Sequence, residues 1–329
     1  MSSCASLRHM MNVLGCIVVC FLANGTQAAD SEYPSRPIRL VVGFAPGGGA
    51  DAAARIVAPK LSDFMGQNWL VDNRTGAGGN LASEIVARAN PDGYTVLLAI
   101  DTQLTASPRL YKLSFSVEKD LQPIIIVAAS DSVVVVSPGV PAKTLKDAIA
   151  FSKQNPGALR YGSGGVGTSN HLMGELLKKV TGIDMAHVPY KGAGPAAAAI
   201  VANEVQLLVG TPASTIGFIT GGRLRALART GGKRGKLLPE VPTVAESGYP
   251  GFDVIQWYGL VVPSATPKRV AERIWKEAHR AVQDPDVQVS LERLGLSAEP
   301  TTPAELTARI RKEAAMWAGI IKDAGISAQ

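Results

Sequence analysis

From about residue 38 to residue 262, short apolar, β-branched runs alternate with helical patterns. That alternation constrains the fold more than any other feature, because it belongs to α/β layers in which helices flank largely parallel sheets. Ile38-Arg39-Leu40-Val41-Val42 reads as a buried strand. A glycine-rich loop follows it, then a helix over residues 51–65 that Gly66 closes and Pro59 is expected to kink. Strands are expected at 69–71 and 94–100, with a helix between them that Asn80 caps and that ends at Ala89. Residues 124–127 and 133–136 form a double apolar run, which we read as a first crossover into a second unit. There, strands at 159–161, 185–190, 205–209 and 224–229 alternate with helices over 144–154, 169–180, 195–202 and 214–219. Residues 252–262 are extended and carry the chain back, and the rest is helical, the last helix starting at Thr302-Pro303-Ala304-Glu305. The expected plan is therefore two lobes, 29–131 with 254–329 and 132–253, joined by two crossover strands about which they rotate. The cleft between them is the default binding site.

Each half carries one device, a strand that ends in glycines and opens straight into a helix. In the first half it is Pro46-Gly47-Gly48-Gly49-Ala50-Asp51, repeated in kind by Gly76-Ala77-Gly78-Gly79-Asn80. In the second it is Gly162-Ser163-Gly164-Gly165-Val166-Gly167-Thr168-Ser169-Asn170. Glycine lets the backbone approach a ligand, and the first free N–H groups of a helix present the positive end of its dipole, so such a loop can cradle an anion. Two cradles facing each other hold a carboxylate from both sides. Four or five charge-assisted hydrogen bonds of about 1.5–3 kcal/mol each reach the roughly 8 kcal/mol of micromolar binding, even after ordering costs.

The second loop also satisfies G-x-G-x-x-G, with Asp184 near the distance a ribose-binding acid needs, so a nicotinamide-dependent oxidoreductase is the rival reading. Against it, Arg160 and Tyr161 interrupt a short preceding strand, and Thr168-Ser169-Asn170-His171 puts polar groups where helix packing expects small apolar ones. No phosphate loop of the G-x-x-x-x-G-K type and no complete G-x-S-x-G elbow is present. Beyond the leader the histidines are His171, His187 and His279, none at i, i+4 spacing to another, which argues against a zinc site. His171 is placed either to reach a ligand or to cap its helix, His187 reads as structural and His279 as solvated. Phe44, Tyr190 and Trp257 either line the cleft or belong to the core.

At the N-terminus Arg8 precedes an uncharged apolar run over residues 13–23, and Thr26 and Ala28 sit at small-residue positions. The pattern reads as a secretory signal peptide, residues 1–28, cleaved near Ala28. The run is well short of the roughly 20 residues of a spanning helix. Cys4, Cys16 and Cys20 all fall in that leader, so residues 29–329 have no thiol, disulfide or cysteine metal site. The formal charge is +6, but the basic residues are scattered, Lys233-Arg234-Gly235-Lys236 being the nearest cluster. Without interleaved aromatics that is a solvated loop and not a nucleic-acid patch, while a mildly basic surface favours an anionic solute.

Taken in order, the motifs are Pro37-Ile38-Arg39-Leu40-Val41-Val42 with Pro46-Gly47-Gly48 and Asp51, then Asp72-Asn73-Arg74 with Gly76-Ala77-Gly78-Gly79, and Pro91-Asp92-Gly93-Tyr94-Thr95. They continue with Gly167-Thr168 before His171-Leu172, Val188-Pro189-Tyr190-Lys191-Gly192, and Leu238-Pro239-Glu240-Val241-Pro242-Thr243 with Glu246 and Gly248. Over essentially the whole chain beyond the leader, this set resembles the substrate-binding proteins of the tripartite tricarboxylate transporter family, the Bug receptors. The resemblance implies a periplasmic receptor with a Venus-flytrap (periplasmic-binding-protein) fold, which captures a small carboxylated acid by lobe closure and delivers it to a membrane permease. It further implies a non-catalytic monomer without cofactor or metal, gripping the carboxylate through Gly48, Gly49 and Asp51 from one lobe and Thr168, Ser169 and His171 from the other. Gly78 in the remaining glycine loop and Gly165 in the Gly162–Asn170 loop are further candidates, and Asp101, Thr102, Tyr190 and Thr211 are expected in the cleft wall. Two positions depart from the family pattern, Asp101 where a small hydroxyl residue is frequent and Thr75 where proline is usual. An acid at Asp101, if it faces the cleft, would repel a second carboxylate or accept an amine.

Overall fold

The structure, a computed structural model, describes residues 33–327; the signal-peptide reading and all three cysteines lie outside the described residues. From Arg36 onward the chain forms one compact unit. Its strands are β1 (Ile38–Val42), β2 (Trp69–Asn73), β3 (Thr95–Ile100), β4 (Leu121–Ser130), β5 (Val133–Val136), β6 (Arg160–Ser163), β7 (Ala186–Pro189), β8 (Leu207–Gly210), β9 (Arg225–Arg229), β10 (Gln256–Pro263) and β11 (Ser297–Ala298). They make two sheets, in the orders β11-β4-β10-β3-β1-β2 and β7-β6-β8-β5-β9.

In the first sheet β1, β2, β3 and β4 run one way, and β10 and β11 the other. In the second, only β5 opposes the rest. Most strands in each sheet point one way, but the reversed β5, β10 and β11 make five of the nine pairings among the described residues antiparallel, so the sheets are mixed where largely parallel ones were expected; β5 and β10 are the strands on which the chain enters the second sheet and returns to the first.

The double apolar run is the first crossover. β4 and β5 are separated only by Asp131 and Ser132, so ten residues serve one sheet and four the other. β5 lies between β8 and β9, and its side chains alternate between faces: Val134 and Val136 join one core cluster, Val133 and Val135 another. Burial on both faces is why the run shows no polar alternation. The two crossings are strapped together. Ser132 N–H donates to Thr230 Oγ1 at 2.8 Å, Thr230 N–H to Ser132 O at 2.9 Å, and Val254 N–H to Thr230 O at 2.9 Å. Arg229 grips Asp131 with Nε and Nη2 at 2.7 and 2.6 Å.

Several local expectations shift. The first helix, Gly49–Met65, is one continuous helix through Pro59 and ends on Gly66 at φ 70°. The helix after β2 is Asn80–Ala87, ending two residues earlier than expected, and Asn80 is its first residue and not its cap. Gly79 holds the cap position at φ 92°, a left-handed geometry that asparagine takes at a cost and glycine does not. The last helix, Pro303–Asp323, begins with the expected Thr302/Glu305 capping box. It was expected to serve the first lobe throughout, yet it runs from one core to the other: Leu306 packs with Trp257 and Val261, whereas Trp317 and Ile321 pack with Leu172 and Val134.

Candidate functional site

The loop after β1 delivers Gly48 as the N-cap of the Gly49–Met65 helix, and no side chain caps that end. Its geometry is held by Asp51, whose carboxylate accepts from Gly47 N–H at 3.3 Å, Arg55 Nε at 3.0 Å and Asn73 Nδ2 at 3.1 Å. Asp51 therefore braces the loop from behind.

The same start recurs three times in the second half. Thr168 precedes the Ser169–Thr181 helix, Gly192 the Ala193–Val201 helix and Thr211 the Pro212–Thr220 helix, again without a side-chain cap. The four starts converge on one cavity of about 30 Å³, lined by Gly48, Gly49 and Ala50 from the first half and Thr168, Asn170, Ala193 and Thr211 from the second. Phe44, Ile100, Gly164, Gln256 and Tyr258 complete its wall, so no charged side chain lines it. First-turn N–H groups lack the usual partner four residues back, so these helix ends favour an anion without any cation, although Pro195 and Pro212 carry no N–H and Ser214 N–H already donates to Thr211 O at 3.0 Å. The halves approach closely enough to need glycine. A Cβ on Gly194 would lie 2.4 Å from the Pro46 carbonyl oxygen of the other half; within the first half, one on Gly49 would lie 2.0 Å from the Tyr258 hydroxyl. Ala45 N–H also donates to Lys191 O, 3.0 Å away, from one half to the other.

A second cavity of about 850 Å³ shares Phe44 and Gly164 with the first, and Gly78, Gly165, His171 and Tyr190 line it with Tyr111 and His187. His171 is a capping residue: its Nδ1 accepts from Gly167 N–H at 3.0 Å, and its ring stacks on His187 at 3.9 Å. Burial pushes the His171 imidazole down to about 4 and that of His187 to about 3, so both are neutral at ordinary pH. Tyr190 hydrogen-bonds Glu204 at 3.3 Å.

The remaining expected residues line neither cavity. Ser169 donates its hydroxyl to Asp101 across the two halves. Asp101 is 1% exposed, and burial, reinforced by the Glu313 carboxylate, pushes its pKa up to about 8. It is thus protonated and neutral at pH 7, and neither repels a second carboxylate nor pairs with an amine as a charge. Thr102 is buried beside it with its hydroxyl unpartnered. Trp257 belongs to the core, its indole donating to Glu313.

Sequence reading missed Ala193, Asn170, Gln256 and Tyr258. Ala193 had a signal, since Gly192-Ala193-Gly194-Pro195 is the same glycine-flanked helix start as the others. Gln256 and Tyr258 had none, because only tertiary pairing brings β10 under these loops.

The geometry disfavours nucleotide and hydrolytic chemistry. Asp184 precedes β7, at the strand end opposite the Gly162–Gly167 loop, where it accepts from Gly157 N–H at 2.9 Å. A ribose-binding acid belongs at the other end. Ser163 Oγ meets His187 Nε2 at 2.6 Å, but Ser163 is fully buried and also engaged by the Gly165 backbone. Among the described residues no group of acids, histidines or cysteines is arranged to hold a metal ion.

The model of the tripartite tricarboxylate transporter family receptor matches residues 53–326. The UPF0065 protein of the tcbD-tcbE intergenic region of Pseudomonas sp. (strain P51) is 36% identical over 99% of this chain and 98% of its own length. The periplasmic binding protein BugD has a solved structure that superposes with a TM-score of 0.86 at 33% identity, covering 90% of this chain and 100% of BugD. An R. palustris protein solved with adipate superposes with a TM-score of 0.86 at 32% identity, covering 90% of this chain and 99% of its own. The two helix-flanked sheets are therefore those of a periplasmic-binding-protein fold.

Proposed function

We propose, on the premise that this chain belongs to the tripartite tricarboxylate transporter receptor family, that it is an exported receptor for a small carboxylated acid. One observation carries the reading: four uncapped helix starts, drawn from both sheets, surround one small uncharged-walled cavity. A carboxylate placed there meets N–H donors from both halves, so its binding favours the arrangement in which the halves are together. Gly48, Gly49, Thr168 and Thr211 form the grip, and Asp51 and His171 hold the loops that present it. The first sheet with its helices is one lobe and the second sheet the other, moving about residues 131–132 and 253–255. The relative solved with adipate supports a carboxylate as the ligand class. The receptor works as a monomer in the periplasm after cleavage near Ala28, passes its ligand to the family's permease, and catalyses nothing.

The test is a thermal-shift screen of residues 29–329 against acetate, benzoate, malate, adipate, glutamate and NAD. A ligand at 100 times its Kd stabilises by about 2.7 kcal/mol, a shift of a few degrees. A shift with one or more of the carboxylates supports the receptor; no shift with any of them, or one with NAD alone, refutes it.

A further inference from the structure

Gln256 opens β10, on which the chain returns from the second sheet, and it pairs with Ser130 at the end of β4. The residue is 3% exposed, it lines the cavity where the four helix starts meet, and its Nε2 has no hydrogen-bond partner. Buried amide N–H groups without a partner are unfavourable and rarely kept, so one beside a binding cavity calls for a reason. The cavity wall offers no charged side chain to compete for it; its other polar side chains are Tyr258, Thr168, Thr211 and Asn170, and the Asn170 amide already donates to Val209 O at 2.6 Å.

We propose that Gln256 is a ligand-gripping residue whose Nε2 donates to the carboxylate bound among the helix starts. This rests on the receptor reading and adds to it a donor from the returning crossover strand. Val254, two residues earlier, is strapped to Thr230, so a carboxylate held by Gln256 is linked to the segment about which the lobes move. The primary amide adds side-chain donors to a ring of backbone donors, which selects an anionic or acceptor-rich head group over an ammonium.

Gln256→Met keeps length and burial while removing the donor, and Gln256→Glu replaces it with a carboxyl that repels an anion. Both are compared with the wild-type chain, residues 29–329, by calorimetric titration with acetate, benzoate, malate, adipate and glutamate, and by melting without additive. Gln256→Met is expected to raise the Kd of whichever acid the wild-type protein binds by about tenfold or more, the loss of one hydrogen bond to a charged group. Its melting temperature without additive stays the same or rises, because an unsatisfied donor has gone. Gln256→Glu is expected to lose measurable binding at pH 7.5. Wild-type-like affinity in Gln256→Met overturns the proposal and leaves the receptor reading standing. A fall in melting temperature alongside weaker binding assigns Gln256 a structural role and overturns it too. If the wild-type chain binds none of the five acids, the receptor reading itself fails, and this proposal with it.

Discussion

Gly194→Ala separates closure from folding. Gly194 is the second residue of the Ala193–Val201 helix, and an added Cβ would sit 2.4 Å from the Pro46 carbonyl oxygen and 3.1 Å from Gly47 C, both backbone atoms of the opposite half. Backbone cannot swing aside as a flexible side chain does, so the methyl must push the halves apart by about an ångström to restore ordinary contact. Overpacking of this kind costs about 1–3 kcal/mol. Here the cost falls on the closed arrangement alone, and the Kd should rise about 5- to 150-fold. Within its own helix the change is favourable, because alanine is a better helix former than glycine by about 1 kcal/mol. Two readouts should therefore move in opposite senses: weaker binding of the best acid from the screen by calorimetry, and an undiminished melting temperature without ligand. Small-angle scattering with saturating acid should also show a less compacted particle than wild type. Unchanged affinity would refute the closure argument, and a ligand-free melting temperature that falls with the affinity would show that the contact belongs to folding.

Asp101→Asn tests the protonated carboxyl. The unfolded carboxyl loses its proton near 3.8, whereas the folded one keeps it to about 8, so the folded state holds more protons between those values. Stability from this group is greatest in acid and falls as pH rises from about 4 to about 8; Asp101→Asn should flatten that decline, which urea unfolding of both proteins at pH 5 and pH 8 measures. A difference between them that does not widen toward pH 8 would contradict the assignment. Asp131→Asn leaves the Arg229 guanidinium, whose side chain is 4% exposed, without its counter-charge between the crossovers. Losing one partner of such a pair costs about 3–5 kcal/mol, seen as a lowered urea midpoint with an unaltered slope.

Local chemistry was legible in the sequence. The glycines at residues 47–49 and 164–167, the Thr302 capping box and the double valine-isoleucine run each act through neighbours in the chain, so their strands, helix starts and first crossover could be read before any contact was known. The loops that meet could not. Gly76-Ala77-Gly78-Gly79 looks like a second cradle, yet it lines the larger cavity, and His171, two residues after Ser169, spends its ring nitrogen on Gly167 N–H. Ala193 reaches the small cavity because β6 lies between β7 and β8, and Gln256 and Tyr258 because β10 lies between β3 and β4. A helix start is made attractive to an anion by its own first turn; the convergence of four of them on one point depends on pairings between strands far apart in sequence, and those only the tertiary structure decides.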